Sequence, residues 1–125
     1  MTCYIYLARA VDVPKLHKIG LSKCPISRVL GIQDETGHPM MILYTVKLKN
    51  RGAAMIAEKK IKLALKHMRS TTTEKTAPTE WFSICESIAL DAIRNECDAE
   101  VEAFPPHIHL PRFTRQQHQR APNAL

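Results

Sequence analysis

Two short runs that favour extended chain stand ahead of the first helical pattern, and this order restricts the fold more than any other feature. The first spans Cys3 to Ala8 around Tyr4-Ile5-Tyr6-Leu7, aromatic and β-branched side chains that suit a pleated, half-buried surface. Arg9 to Leu16 holds Asp12 and Pro14 and reads as a turn, and His17 to Leu21 is the second run. The pair predicts an antiparallel hairpin with an irregular loop. Gly20, near the end of the second run, allows either a positive φ or the close approach of a neighbouring segment.

The hydrophobic period then changes. From Ser22 to Glu35, Ile26, Val29, Leu30 and Gln33 recur at helical spacing, with Pro25 suited to the first turn and Ser22 or Cys24 as its cap. Gly37-His38-Pro39 ends that helix. Met40 to Leu48 is the strongest strand, with Ile42, Tyr44, Val46 and Leu48 on one side, and Asn50-Arg51-Gly52 reads as a turn. Ala53 to Met68 is the clearest helix, striped by Ala54, Ala57, Ile61, Ala64 and Leu65. A polar loop, Ser70 to Pro78, precedes Trp81 and Phe82, and Ile84, Ile88, Ala89, Ala92, Ile93 and Cys97 stripe a third helix assigned to 84–103. The expected fold class is α+β, a small three-stranded antiparallel sheet flanked by helices, with an extra C-terminal helix. Residues 1–103 form the expected domain, and 104–125 a basic, weakly ordered tail.

Composition narrows the function classes. Aromatics are 6% of 125 residues, so the core leans on Ile, Leu, Val, Met and Ala. No apolar run approaches membrane-spanning length and no signal peptide is visible, so a cytoplasmic protein is expected. Cys3, Cys24, Cys85 and Cys97 form no CxxC pair and have no His at finger spacing; buried free thiols in a reducing compartment are expected, a structural zinc or disulfide being the alternative. The net charge of +6 is uneven: residues 1–82 carry 14 Lys/Arg against 6 Asp/Glu, whereas 83–103 carry one against six. A basic front suggests a polyanion face, with plain solubility as the bland reading.

Tyr4-Ile5-Tyr6, Lys18-Ile19-Gly20-Leu21-Ser22, Arg28, Glu58 and Glu80-Trp81-Phe82, in that order, resemble the GIY-YIG nuclease superfamily. The nearer resemblance is to its T5orf172 or MUG113-like branch, common in phages, and it covers residues 3 to about 83. It implies an endonuclease of phage or mobile-element type acting on DNA, or on RNA, with Mg²⁺ or Mn²⁺. The first-motif tyrosine falls on Tyr6, the helix arginine on Arg28, the metal-binding glutamate on Glu58 and the second-motif glycine on Gly20. Tyr4 stands where the founding pattern has glycine, and Lys18 where it has the second tyrosine.

Each position has its own chemistry and its bland counterpart. Glu58 borders the apolar stripe of its helix and could hold one oxygen-loving cation, or simply pair with Lys62 at i+4. Arg28 can offer a planar fork to a phosphate, or be a surface helix arginine. Tyr6 could accept a proton from water only if its pKa were lowered from about 10; otherwise it is a packed strand tyrosine. Lys18 could neutralise a phosphate or depress Tyr6, or be a strand-edge lysine. Lys23, Lys59, Lys62 and Lys66 are the candidate phosphate contacts. Trp81 and Phe82 could stack a base but more simply anchor the third helix. His107-Ile108-His109 lacks partners for a metal site.

Three functions remain open: a metal-dependent endonuclease, a non-cutting nucleic-acid-binding module on the same fold, and an interaction protein using its acidic helix or its tail. No separate recognition domain is visible, so a protein partner would have to supply strict targeting.

Overall fold

The computed structural model describes residues 2–68 and 81–105; the polar loop, His107-Ile108-His109 and nearly all of the tail lie outside the described residues. The chain runs β1 (Cys3–Ala10), β2 (Leu16–Ser22), α1 (Pro25–Thr36), β3 (Met40–Leu48), α2 (Arg51–Ala64), a 3-10 turn (Lys66–Met68), β4 (Trp81–Ser83), α3 (Glu86–Glu96) and β5 (Val101–Ala103). The α+β class and the opening hairpin match the expectation. The sheet has five strands rather than three, in the order β4-β2-β1-β3-β5, all antiparallel. β4 and β5 have three residues each, too few for an alternating pattern to show. The third helix is accordingly shorter than 84–103, because Val101–Ala103 pairs with Tyr44–Val46 at the sheet edge.

Local chemistry sets the helix ends. Pro25 opens α1, Cys24 is its N-cap without a side-chain bond, and Ser22 Oγ accepts from the Cys24 N–H at 3.0 Å. Gly37 closes it in the left-handed region at φ 77°, donating to the Gln33 carbonyl. Asn50 is the N-cap of α2, its Oδ1 accepting from the Ala53 N–H at 2.8 Å, so Arg51 begins a helix instead of sitting in a turn.

The two faces of the sheet are covered separately. Cys3, Ile5, Leu7, Ile19, Val46 and Phe82 pack with Ala54, Ala57 and Ile61 of α2 and Ala89, Ala92 and Ile93 of α3. Tyr6, Ala8, Ala10, Leu16, Ile42 and Trp81 pack with Val29 and Ile32 of α1. β3 contributes to both because of a bulge: Leu7 faces Tyr44 but Ala8 faces Ile42, which leaves Leu43 as the extra residue. Ile42 therefore lies on the α1 side, while Tyr44, Val46 and Leu48 join the other core, correcting the expectation of one shared side. The predicted stripes shift too. Ile26, Ala64 and Ile88 are exposed, and α1 buries Val29, Ile32 and Gln33, the last capping the Met40 N–H at 2.8 Å. Among the described residues no helix is long and apolar enough to cross a membrane.

Candidate active site

Tyr6 sits mid-strand in β1, opposite Gly20 of β2 and Thr45 of β3. A Cβ at Gly20 would lie 2.5 Å from the Tyr6 hydroxyl oxygen, 2.7 Å from Cζ and 3.0 Å from Cε2, closer than side chains tolerate. Gly20 does not have a positive φ; Gly37 alone does among the described residues. Of the two uses open to Gly20, the structure shows close approach.

Two helices bring charge to this tyrosine. Arg28 of α1 lies close enough to the Tyr6 hydroxyl to favour its phenolate form by charge and hydrogen bonding. Glu58 of α2 joins them in lining a cavity of about 210 Å³, together with Gly20, Leu21, Arg51 and Met55. Arg51, Met55 and Glu58 fall at i, i+4 and i+7, one stripe of α2. Glu58 Oε2 is also 3.1 Å from Lys62 Nζ, with the side chains 18% and 15% exposed. The bland i,i+4 pair and the inward-facing carboxylate are thus the same residue, and Lys62 is held at the site rather than projecting as a solvated phosphate contact.

The electrostatics run against one expectation. Burial pushes the Tyr6 phenol up to about 12, outweighing the charge and hydrogen bond of Arg28, and the Glu58 charge pushes the same way. These protein groups keep Tyr6 a neutral hydroxyl at physiological pH and do not provide the lowering a tyrosine base requires. Lys18 moves the other way. It is 2% exposed, and burial, then the Lys62 and Arg28 charges, drive it down to about 7 against the opposing pull of Glu58 and Glu35. It is not a strand-edge lysine, since it pairs with Ala8 on one side and with Trp81 on the other. Two residues from Gly20 along β2, it lies on the same side of the strand as that glycine.

The remaining candidates separate. Lys23 lines a second cavity, with Ser22, Arg28 and Arg51. Lys59 and Lys66 are exposed, and neither lines the cavity at Tyr6. Lys60 lines a different cavity with Lys47 and Lys49. Tyr4 is half-buried, opposite Ser22 and Lys47. Trp81 and Phe82 are 1% and 0% exposed and point into opposite cores, so they anchor β4 and leave no face for a base. Cys3 and Cys97 are buried free thiols as expected, but Cys24 and Cys85 are exposed, because both precede a helix. The residue that sequence reasoning missed is Arg51. Its signal was Asn50, an N-cap residue type that starts the helix one step before Arg51.

Among the described residues no three His, Cys, Asp or Glu side chains gather into a metal cage. A magnesium or manganese ion needs less, since such ions prefer oxygen and keep several waters. One carboxylate at the wall of a cavity beside a hydroxyl fits that modest requirement, and Glu58 is the residue that would hold such an ion.

The family model of the T5orf172 domain matches residues 3–97. No curated protein and no solved structure gives a significant match. The matched span extends past the motifs through α3 and includes every residue of the Tyr6 cavity. T5orf172 domains are GIY-YIG-like, nuclease-associated modules. Residues 3–97 being about three quarters of the sequence, the chain belongs to the T5orf172 domain family.

Proposed function

We propose that the protein is a divalent-metal-dependent endonuclease hydrolysing phosphodiester bonds in DNA, with Tyr6, Arg28 and Glu58 at its centre. One observation carries this reading: a strand hydroxyl, a helix guanidinium and a carboxylate from a second helix converge on one cavity of about 210 Å³. Family membership supports a nuclease-like role in general.

Each group has a task its chemistry suits. The Arg28 fork binds phosphate oxygens and offsets the charge that builds there. Tyr6, a neutral hydroxyl already aimed at Arg28, orients water or phosphate by hydrogen bonding. Lys18, poised between amine and ammonium near pH 7, gains a proton more readily once a phosphate offsets Arg28 and Lys62. Glu58 would hold Mg²⁺ or Mn²⁺, which when bound supplies Lewis acidity at a phosphate oxygen.

The test is nicking of supercoiled plasmid with Mg²⁺ or Mn²⁺ by wild type and Glu58→Ala, with an EDTA control. Nicking by wild type alone, abolished by EDTA, is the expected result. Full activity of Glu58→Ala would overturn the role of that residue. The Tyr6 phenol at about 12, together with Lys18 in place of a second tyrosine, favours a second reading, a binding module that does not cut. That reading predicts no nicking by either protein and salt-sensitive DNA binding by both. Absence of binding to DNA and RNA alike would turn attention to a protein partner.

A further inference from the structure

The cavity at Tyr6 does not end at Arg28. A second cavity of about 450 Å³ continues from it, and Leu21, Arg28 and Arg51 line both. The two differ in charge. The first sets one carboxylate, Glu58, against two guanidinium groups. The second is lined by Lys23, Arg28 and Arg51, with the hydroxyls of Ser22 and Ser27, and no carboxylate is among its described lining residues. Glu35 pairs with Arg28 only at 3.7 Å, with the side chains 56% and 46% exposed, a contact too long and too wet to cancel the guanidinium.

The backbone adds to this bias. Ser22 Oγ is already an acceptor for the Cys24 N–H, which leaves its own proton to donate outward. Residues at the starts of both α1 and α2 line the cavity, and neither helix has an acidic side chain in its first turn. The positive ends of two helices therefore meet three cations on a side of Arg28 and Arg51 where no described lining residue is acidic. That combination suits an anion with several acceptor oxygens, and its continuity with the Tyr6 cavity places the anion beside a phosphate held there.

We propose that this second cavity binds the phosphate that neighbours, on the same strand, the phosphate held in the Tyr6 cavity. Lys23 and Arg51 are its contacts, and Arg28 is shared between the two. The inference rests on the nucleic-acid reading of the Tyr6 cavity, whether or not the protein cuts. A ligand with one phosphate fills one cavity; a ligand with two consecutive phosphates fills both.

The test is titration of the full chain, by chemical-shift perturbation in metal-free buffer, with thymidine dinucleotides carrying one phosphate (TpT) or two (pTpT and TpTp). Wild type should bind pTpT or TpTp about tenfold tighter than TpT, the order expected of one charge-assisted contact set. Lys23→Ala/Arg51→Ala should retain its melting temperature, both residues being exposed, and lose most of that preference. Lys59→Ala/Lys66→Ala removes equal charge away from the cavity and should keep it. If wild type binds a 20-base-pair duplex yet shows no dinucleotide preference, the second cavity is wrong and the nucleic-acid reading stands. Retention of the preference by Lys23→Ala/Arg51→Ala, or equal loss in Lys59→Ala/Lys66→Ala, overturns it as well. Binding of neither duplex nor dinucleotide removes the nucleic-acid reading and this inference with it.

Discussion

Tyr6 covers Gly20 so closely across the β1–β2 pair that a Cβ on Gly20 would lie 2.5 Å from the tyrosine hydroxyl oxygen. The pairing fixes where the hydroxyl can be, because the ring packs on bare backbone and Arg28 lies at its far end. Gly20→Ala must displace the ring. Overpacking of this kind costs about 1–3 kcal/mol and moves the hydroxyl off the cavity. Denaturant unfolding should show that loss in wild type and a much smaller one in a Tyr6→Leu background. An equal loss in both backgrounds would mean that Gly20 answers to something other than the ring.

Lys18 imposes a pH dependence on stability. Its folded pKa, about 7, lies below the ordinary 10.5, so between these values the unfolded chain binds more protons than the folded one. Stability from this group is full above about 10.5 and is lost as pH falls toward 7. Wild type should therefore gain stability from pH 7 to 9, by at most about 1.4 kcal/mol per unit from this one group. Lys18→Met should flatten that rise, and urea melts at matched pH values measure the difference. Identical slopes in the two proteins would show that Lys18 titrates as an ordinary exposed lysine.

In the proposed site, a metal and Lys62 would compete for one carboxylate. With Lys62 Nζ 3.1 Å from Glu58 Oε2, any cation held by Glu58 must displace or share that ion pair. A pair worth about 1 kcal/mol converts to roughly fivefold in affinity. Lys62→Met should accordingly bind Mn²⁺ several-fold more tightly, read by its paramagnetic broadening of Tyr6 and Gly20 resonances. Weaker Mn²⁺ binding in that variant would argue that Lys62 orients Glu58 for the metal.

Trp81 is the sole tryptophan and is 1% exposed, so it reports on β4 directly. Its emission should be blue-shifted, poorly quenched by iodide and unchanged on addition of DNA. Trp81→Ala should cost about 3–5 kcal/mol by leaving a cavity in the α1-side core. Quenching of Trp81 emission by DNA would restore the base-stacking role that its burial denies.

Much of the local structure was legible because it depends on neighbours in sequence. The Tyr-Ile-Tyr run, Pro25 at a helix start and Gly37 at its end each act within a few residues, and all behave as expected. β4 and β5 were not legible, since three residues joined to a distant strand carry no periodic signal. The bulge at Leu43 was hidden for a similar reason, as alternation along β3 looks regular until pairing with β1 inserts the extra residue. Among the candidate site residues, Tyr6, Arg28 and Glu58 line one cavity, whereas Arg51, which lines it too, escaped notice in an apparent turn.

By itself, the sequence determined the α+β class, the early hairpin, the basic front and the identities of the hydroxyl, guanidinium and carboxylate. Only the tertiary structure decided their charge states. Covering β2 with β4 buries Lys18, and packing Tyr6 over Gly20 buries the phenol, so desolvation moves the two pKa values in opposite directions. It also decided which cations share a cavity, because Arg28 and Arg51 are distant in sequence and meet only where the starts of two helices converge. Desolvation and through-space charge depend on what folds over a residue, and sequence neighbours do not reveal that.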